Sequence, residues 1–479
     1  MSRDAAPIAP SPRPLELLPA AALPLESGDG IPVVVTSEEA APHILHDDLS
    51  RVVLRTALPA VGSTLLITLF AAFDTFWVGS YIGSSGLAAV TTSLFWIWLI
   101  ISIAEMVSIG LTAVAARRHG ERRPDEAALA AGSALVTAVA LGLVVAIAGH
   151  FGIDAIFASM RTSPPVTALG KVYLGTYLWG APLIFGFFAV DAAFRASGDT
   201  RTPLLLLASS VAVTLVLDPV LILGLLGFPE LGIQGAAVAT LATRSVVFVA
   251  GVMMLRRRRL VRLRGYDWRS VATMCRVGAP TAMTGVSFSL IYVLIARTAN
   301  SFGTSAIAAL GLGHRIESWL YMIGVGFGAA AAAIVGQNLG AQQPDRAARA
   351  GWITAAYATT PGVLFCGLAL AIPAKLASIF TGDPTVVAEA ANYLRIGAWS
   401  ELAVCAEVVL EGALGGAGHT LPPMISSTVI TASRVPIAIW AAARWGPTGI
   451  WWTISLTAIA RSLAMIWIWH RGGWKRRTV

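Results

Sequence analysis

Long runs of apolar residues without a charged side chain are the feature that most restricts how this chain can fold. Residues 129–148 form one such run. Hydrocarbon cannot hydrogen-bond to backbone, so a spanning segment must satisfy its own N–H and C=O groups, as a helix or within a closed barrel. A spanning helix needs about 20 apolar residues, whereas a barrel strand needs about 9 to 11 of alternating polarity. The runs therefore predict an all-α membrane protein.

Composition and charge support this prediction and argue against other classes. Of the 479 residues, 56% are hydrophobic and only 13% are charged, which does not fit a soluble surface. The net charge of +8 comes from basic residues in the loops, so we expect membrane lipid as a partner and no nucleic acid. The three cysteines have no CxxC spacing and predict neither disulfides nor a thiolate metal site.

Breaks at Gly, Pro and charged residues divide the apolar sequence into twelve predicted transmembrane helices. The first six cover residues 55–81, 86–116, 126–150, 168–196, 202–227 and 232–255. The second six cover residues 270–300, 305–336, 346–373, 385–416, 421–443 and 449–470.

Most basic loop residues lie in the even-numbered connections and after the last span, including Arg117, Arg118 and the block 256–259. Because basic residues flanking helices are retained in the cytoplasm, both termini are predicted to be cytoplasmic, in a multi-pass protein of the inner membrane. The predicted domains are a flexible tail (1–50), a six-helix lobe (51–255), a basic linker (256–269), a second six-helix lobe (270–470) and a basic tail (471–479).

The two halves of the chain are repeats of each other. Gly198-Asp-Thr-Arg-Thr-Pro203 returns 220 positions later as Gly418-His-Thr-Leu-Pro-Pro423, and Arg244-Ser245 returns 217 positions later as Arg461-Ser462. Because each half has an even number of spans, the halves enter the membrane with the same orientation. Two parallel bundles leave a cleft between them, which is where transporters place their substrate and ion sites.

Charged residues inside the predicted spans are the candidate functional residues, because each costs at least about 2.5 kcal/mol in hydrocarbon. The acidic members are Asp74, Glu105, Asp191, Asp218, Glu317, Glu401, Glu407 and Glu411.

Three of these acids are candidates for coupling to protons or sodium. Asp74 could instead form a structural ion pair, for instance with Arg244. Asp218 precedes Pro219, whose ring frees a backbone carbonyl for a cation or water site. Asp191 lies four residues before Arg195, so a local ion pair competes with a role in transport.

Four residues are candidate substrate contacts. Glu407 and Glu411 lie one turn apart on one helix face, a spacing that suits a cationic ligand. Glu317 follows Arg315 and could pair with it, and Thr214 could instead pack between helices. Pro59 and Pro280, at equivalent places in the two repeats, are candidate hinges.

Several segments resemble the multidrug and toxic compound extrusion (MATE) family, over roughly residues 51–470. They are Phe73-Asp-Thr-Phe-Trp-Val-Gly79, Arg195-Ala-Ser-Gly-Asp-Thr-Arg-Thr-Pro203, Leu217-Asp-Pro219, Leu231-Gly-Ile-Gln-Gly-Ala-Ala-Val-Ala-Thr240 and Val335-Gly-Gln-Asn-Leu-Gly-Ala341. The resemblance implies twelve helices in two lobes, and export of mostly cationic amphiphiles driven by inward sodium or proton flow. It also assigns Asp74 and Asp218 to cation coupling, including transient sodium binding.

The resulting hypothesis is a monomeric antiporter that works by alternating access. It has no cofactor, no resident metal and no enzymatic step. A lipid or lipid-linked-sugar flippase of a related two-lobed family is one alternative, and a membrane receptor that does not transport is another. A membrane enzyme is disfavoured because the sequence contains no HExxH, no GxSxG and no cluster of intramembrane histidines.

Overall fold

The computed structural model describes residues 44–160 and 162–477, and every regular element in those residues is a helix. The first half contains α1 (Leu49–Ile82), α2 (Ser84–Gly120), α3 (Pro124–Met160), α4 (Pro164–Trp179), α5 (Ala181–Ala196), α6 (Arg201–Leu223) and α7 (Ile233–Arg257). The second half contains α8 (Trp268–Asn300), α9 (Thr304–Gly340), α10 (Pro344–Ala371), α11 (Pro373–Ser378), α12 (Pro384–Gly416), α13 (Leu421–Trp445) and α14 (Pro447–Arg471). Short 3-10 turns cover Leu225–Gly227 and Gly473–Arg476.

The fold class predicted from the sequence, an all-α membrane protein, is confirmed. Ten of the described helices are long and apolar enough to cross a membrane, and the bent pair α4 and α5 makes an eleventh candidate. Helix α12 is 33 residues long, but its acidic residues, among them Glu401, Glu407 and Glu411, interrupt its apolar sequence. Most of the predicted tail 1–50, and the last two residues of the predicted tail 471–479, lie outside the described residues.

Three predicted spans differ from the observed helices. The span predicted over 126–150 is too short, because α3 continues to Met160. The span predicted over 168–196 is not one straight helix, because α4 and α5 meet at Gly180 with a bend of 50°. Pro182 near the start of α5 lacks the N–H that a continuous helix would use. The span predicted over 202–227 ends earlier, at Leu223, because Gly224 adopts the left-handed conformation (φ 68°) that ends many helices.

The two halves, which are repeats in sequence, also make equivalent contacts with each other. Helix α1 packs on α9 and, in the same way, α8 packs on α2, so the two halves meet along these four helices. Thr200 Oγ1 donates to Thr56 O at 2.8 Å, and its repeat mate Thr420 donates from Oγ1 to Val277 O at 2.7 Å. The halves are therefore related by structure as well as by sequence.

The halves approach most closely toward the end of the bundle where α2 and α9 finish. A Cβ built on Gly120 would lie 2.0 Å from the carbonyl oxygen of Gln337, and one built on Gly278 would lie 1.8 Å from that of Met106. Gln337 Nε2 also donates to Ala196 O at 2.7 Å, which joins α9 to the end of α5. Glycine lets the backbones touch at this end, because any side chain would push them apart.

We predict that Gly278→Ala destabilises this closed arrangement, because its methyl group would overlap backbone that cannot rotate away. The cost expected for such overpacking is about 1 to 3 kcal/mol. Thermal unfolding of the purified protein in detergent measures it. The matched control is Gly367→Ala in α10, where an added Cβ meets nothing within 4 Å. Equal melting temperatures for the two variants would contradict the assignment of Gly278 to a tight contact between the halves.

Candidate functional site

Asp74 lies on α1 among other helices of the first half and is 6% exposed. The hydroxyl of Tyr173 on α4 donates to its Oδ2 at 3.1 Å. Its other oxygen, Oδ1, is buried and has no hydrogen-bond partner. The ion pair with Arg244 that the sequence left open is not formed, so no described basic residue neutralises this carboxyl group.

Asp218 on α6 is completely buried, and neither of its carboxyl oxygens has a hydrogen-bond partner in the described residues. Helix α6 packs directly against α1, and Asp218 lies close enough to Asp74 for the two carboxylates to repel each other. A buried carboxylate without a partner is unstable as a bare charge, and must hold a proton or a cation. The two candidate coupling residues thus form one site.

Thr214 lies one turn before Asp218 and is buried. Its Oγ1 lies 2.7 Å from the Oγ1 of Thr243 on α7 and donates to Ser210 O at 2.8 Å. This hydroxyl pair joins α6 to α7 one helical turn before Asp218. This contact is the helix packing that the sequence allowed for Thr214, and its role in substrate contact stays a prediction.

Asp191 forms the local ion pair that its spacing permitted. Its Oδ2 lies 2.9 Å from Arg195 NH2, and the same nitrogen donates to Ser108 Oγ on α2 at 3.1 Å. The pair links α5 to α2, and Glu105 on α2 lies within electrostatic reach of Arg195. Asp191 is compensated by a cation, in contrast to Asp74 and Asp218.

One acid of the second half is held by a cation. Glu407 is 1% exposed, forms a salt bridge with Arg461 on α14, and accepts from Ser462 Oγ at 2.9 Å. Glu411 follows one turn later and lies within electrostatic reach of both Glu407 and Arg461. Both acids belong to one charged group, but Glu407 is already neutralised by Arg461.

Glu317 on α9 does not pair with Arg315. Its Oε2 instead accepts from the hydroxyl of Tyr393 on α12, at 2.8 Å. Tyr393 is the repeat mate of Tyr173, 220 positions later, so a tyrosine holds one carboxylate in each half. These tyrosines were not among the predicted site residues, although their spacing of 220 positions was a signal that could have found them.

The two predicted hinges lie inside α1 and α8. Ser63 Oγ donates to Pro59 O and Thr284 Oγ1 donates to Pro280 O, both at 3.1 Å. Proline removes a backbone hydrogen bond, so both helices are locally weakened at this level. Thr64 Oγ1 then donates to Met322 O of α9 at 2.8 Å, which joins α1 to the other half just beyond its proline.

Among the described residues, no group of three or more His, Cys, Asp or Glu side chains could hold a metal ion. The Asp74 and Asp218 carboxyl groups nevertheless offer three buried oxygens without a partner. That geometry suits a proton or a weakly bound monovalent cation that enters and leaves.

Comparisons with known proteins agree on one family. The family model described as MatE matches residues 59–220 and 280–440. A probable multidrug resistance protein NorM from Thermotoga maritima is 28% identical over 448 residues, covering 90% of this chain and 94% of its own length. A protein named FAD transporter from Shewanella oneidensis is 28% identical over 362 residues, covering 74% of this chain and 79% of its own length.

Solved structures share the fold at lower sequence identity. An outward-facing structure of a multidrug resistance MATE family transporter superposes with a TM-score of 0.84 at 22% identity, covering 91% of this chain and 98% of that one. The MATE transporter VcmN of Vibrio cholerae, as a mutant, gives a TM-score of 0.83 at 19% identity, covering 92% of this chain and all of that one. These similarities extend over both halves.

We predict that two isosteric substitutions differ in their effect on the free energy of unfolding. Glu407→Gln would leave Arg461 buried beside a neutral group and lower the free energy of unfolding by about 3 to 5 kcal/mol. Asp218→Asn removes no hydrogen bond or ion pair and should leave stability unchanged or raised. Thermal unfolding of the two variants in the same detergent measures the contrast. A loss of stability for Asp218→Asn as large as that for Glu407→Gln would mean that Asp218 is a structural residue.

Proposed function

Since this chain belongs to the multidrug and toxic compound extrusion (MATE) family of membrane transporters, we propose that it exports small organic molecules in exchange for protons or sodium, with Asp74 and Asp218 as the coupling carboxylates. The proposal rests on one observation above all. The two carboxyl groups lie near each other in the first half, and no described basic side chain neutralises either of them. The relatives are transporters and not enzymes, which agrees with the absence of any proposed chemical step.

Exchange follows from the instability of two neighbouring buried carboxylates. A proton or sodium ion that binds there removes the repulsion between Asp74 and Asp218 and lets the surrounding helices pack more closely. Release of the ion restores the repulsion and favours a more open arrangement. A ligand shifts such an equilibrium only by its difference in affinity for the two arrangements, and a charge change in a low-dielectric site supplies that difference.

Helix α1 is the element that can carry this change to the interface between the halves. Asp74 lies on α1 fifteen residues after Pro59, and Thr64 between them bonds to Met322 of α9. If α1 bends at Pro59, where the helix is weakened, its contact with the second half therefore changes. Pro280 gives α8 the same property on the other side of the cleft.

We propose that the closed end of the bundle is the cytoplasmic end. The connections at this end carry Arg117, Arg118, Arg122 and Arg123, and basic residues near helix ends are retained in the cytoplasm. In this orientation both termini are cytoplasmic, in the inner membrane, and the halves are in close contact on the cytoplasmic side. The proposed units are a lobe over 51–255, a basic linker over 256–269 and a lobe over 270–470, which function as a monomer surrounded by membrane lipid.

The proposed substrates are small amphiphilic organic compounds. Cations are supported by Glu411 and Glu401, and one oxygen of Glu401 is buried without a partner. One relative is named FAD transporter, and FAD carries phosphates, so the proposed cargo is not confined to cations. The class of cargo is therefore proposed more broadly than the sequence alone implied.

We predict that Asp74→Asn and Asp218→Asn each abolish efflux coupled to an imposed proton or sodium gradient in reconstituted vesicles. Each change removes one of the two charges that bind the coupling ion. Export of a fluorescent organic cation, with each gradient applied separately, measures the effect. The matched control is Asp154→Asn, which removes a carboxylate that is 81% exposed on its side chain, and should leave efflux unchanged. Gradient-driven efflux at the normal rate in both site variants would refute the proposed coupling.

A further inference from the structure

Arg244 of α7 is a charged residue that neither the fold nor the proposed coupling uses. It lies near the middle of α7, deep in the membrane, and is partly buried. Its guanidinium group stacks over the ring of Phe187 on α5, 5.2 Å from the ring centroid. No carboxylate among the described residues forms a salt bridge with it and no described group accepts a hydrogen bond from it, although the hydroxyl of Tyr177 on α4 lies within electrostatic reach.

The repeat shows what such an arginine does when its partner is present. Arg461 is the repeat mate of Arg244, 217 positions later, and Glu407 is the repeat mate of Phe187, 220 positions later. In the second half, Arg461 and Ser462 together hold the carboxylate of Glu407. In the first half Arg244 faces a phenyl ring where the carboxylate would be, and Ser245 donates to Leu241 O of its own helix.

The surroundings of Arg244 are apolar on the side that leads to α1. Phe187 packs with Leu207 and Val211 of α6 and Val247 of α7, and Leu66 and Phe70 of α1 cover the same cluster. A guanidinium group has five N–H donors and loses free energy in such a place unless an anion or water meets them. Its planar fork matches a carboxylate or phosphate, and its stacked face leaves that fork available.

We infer that Arg244 binds the carboxylate or phosphate of an aromatic substrate, since Phe187 stands where the second half has the carboxylate of Glu407. The apolar cluster that contains Phe187 and Phe70 would hold the aromatic part of the substrate. This inference names a substrate class for the proposed function and rests on it. The transported compound would be a zwitterionic or anionic aromatic amphiphile. A phospholipid headgroup is disfavoured, because Arg244 lies at the middle of the membrane and headgroups lie at its surfaces.

Equilibrium binding of two dyes that differ by one carboxylate tests this inference. The probes are tetramethylrhodamine, which has a free carboxylate, and its methyl ester, which has none; fluorescence polarisation with the purified protein in detergent reports binding. Wild type should bind the acid at least about tenfold more tightly than the ester, the scale of one charge-assisted hydrogen-bonded pair. Arg244→Gln should remove the preference without changing ester affinity, and Arg244→Lys should keep part of it.

Two further variants make the test specific. Phe187→Glu supplies Arg244 with the partner that Glu407 gives to Arg461, and should remove the preference for the acid while the protein stays folded. Arg444→Gln is the matched control, since Arg444 also stacks on an aromatic ring, 4.2 Å from the centroid of Trp440, and should leave both affinities unchanged.

Equal affinity of wild type for the two dyes, or no binding of either, would overturn the inference. A loss of ester binding equal to the loss of acid binding in Arg244→Gln would also overturn it, and would point to an internal counter-charge. No ion gradient is applied, so these outcomes are independent of whether Asp74 and Asp218 couple transport.

Discussion

The cost of keeping an unpaired carboxylate away from water is the constraint on which the rest of this structure depends. Asp218 is completely buried with both oxygens unbonded, and Asp74 beside it has one hydrogen bond, from Tyr173. A neutral residue at either position would satisfy the helix at lower cost. Among the described residues neither acid has a neutralising partner, which supports the proposal that an ion binds them. The proposed hinges at Pro59 and Pro280, and the contact of Thr64 with α9, would carry the effect of that ion to the other half.

The two halves use one scaffold for different chemistry. In the second half, Arg461 neutralises Glu407, and the pair joins α12 to α14. In the first half, the equivalent arginine faces Phe187, and the acids lie elsewhere, on α1 and α6. A compensated ion pair resists change, because breaking it exposes two charges, whereas an uncompensated acid responds to every ion that binds. We therefore propose that Asp74 and Asp218 respond to ions, whereas the pair of Glu407 and Arg461 has a structural role.

Much of the fold could be predicted from the sequence, because hydrocarbon forces apolar segments of spanning length into helices. The twelve predicted spans therefore each overlap an observed helix or the bent pair α4 and α5, most of them within a few residues at each end. The bend itself could not be predicted from apolar runs. Gly180 and Pro182 are ordinary inside a membrane helix, and the contact of Leu241 with Gly180 at the bend joins residues far apart in the chain.

The candidate acids could be found from the sequence, but their partners could not. Asp191 pairs with Arg195 within one turn, which spacing alone allowed. Tyr173 lies 99 residues from Asp74, and Tyr393 lies 76 residues from Glu317, so these bonds depend on which helix faces meet. Packing also decides that Arg244 stacks on a ring and does not pair with Asp74. Periodicity identifies the face of a helix, but not the side chain that it meets across the bundle.

The most direct test of this mechanism is the affinity of the purified protein for a transported compound, measured by calorimetry at several proton and sodium concentrations without a gradient. If ion and substrate exclude each other through Asp74 and Asp218, affinity must fall as one of the two ion concentrations rises, and the dependence must vanish when both acids are replaced by Asn. An affinity that is independent of both ions in the unmodified protein would contradict coupling at these carboxylates.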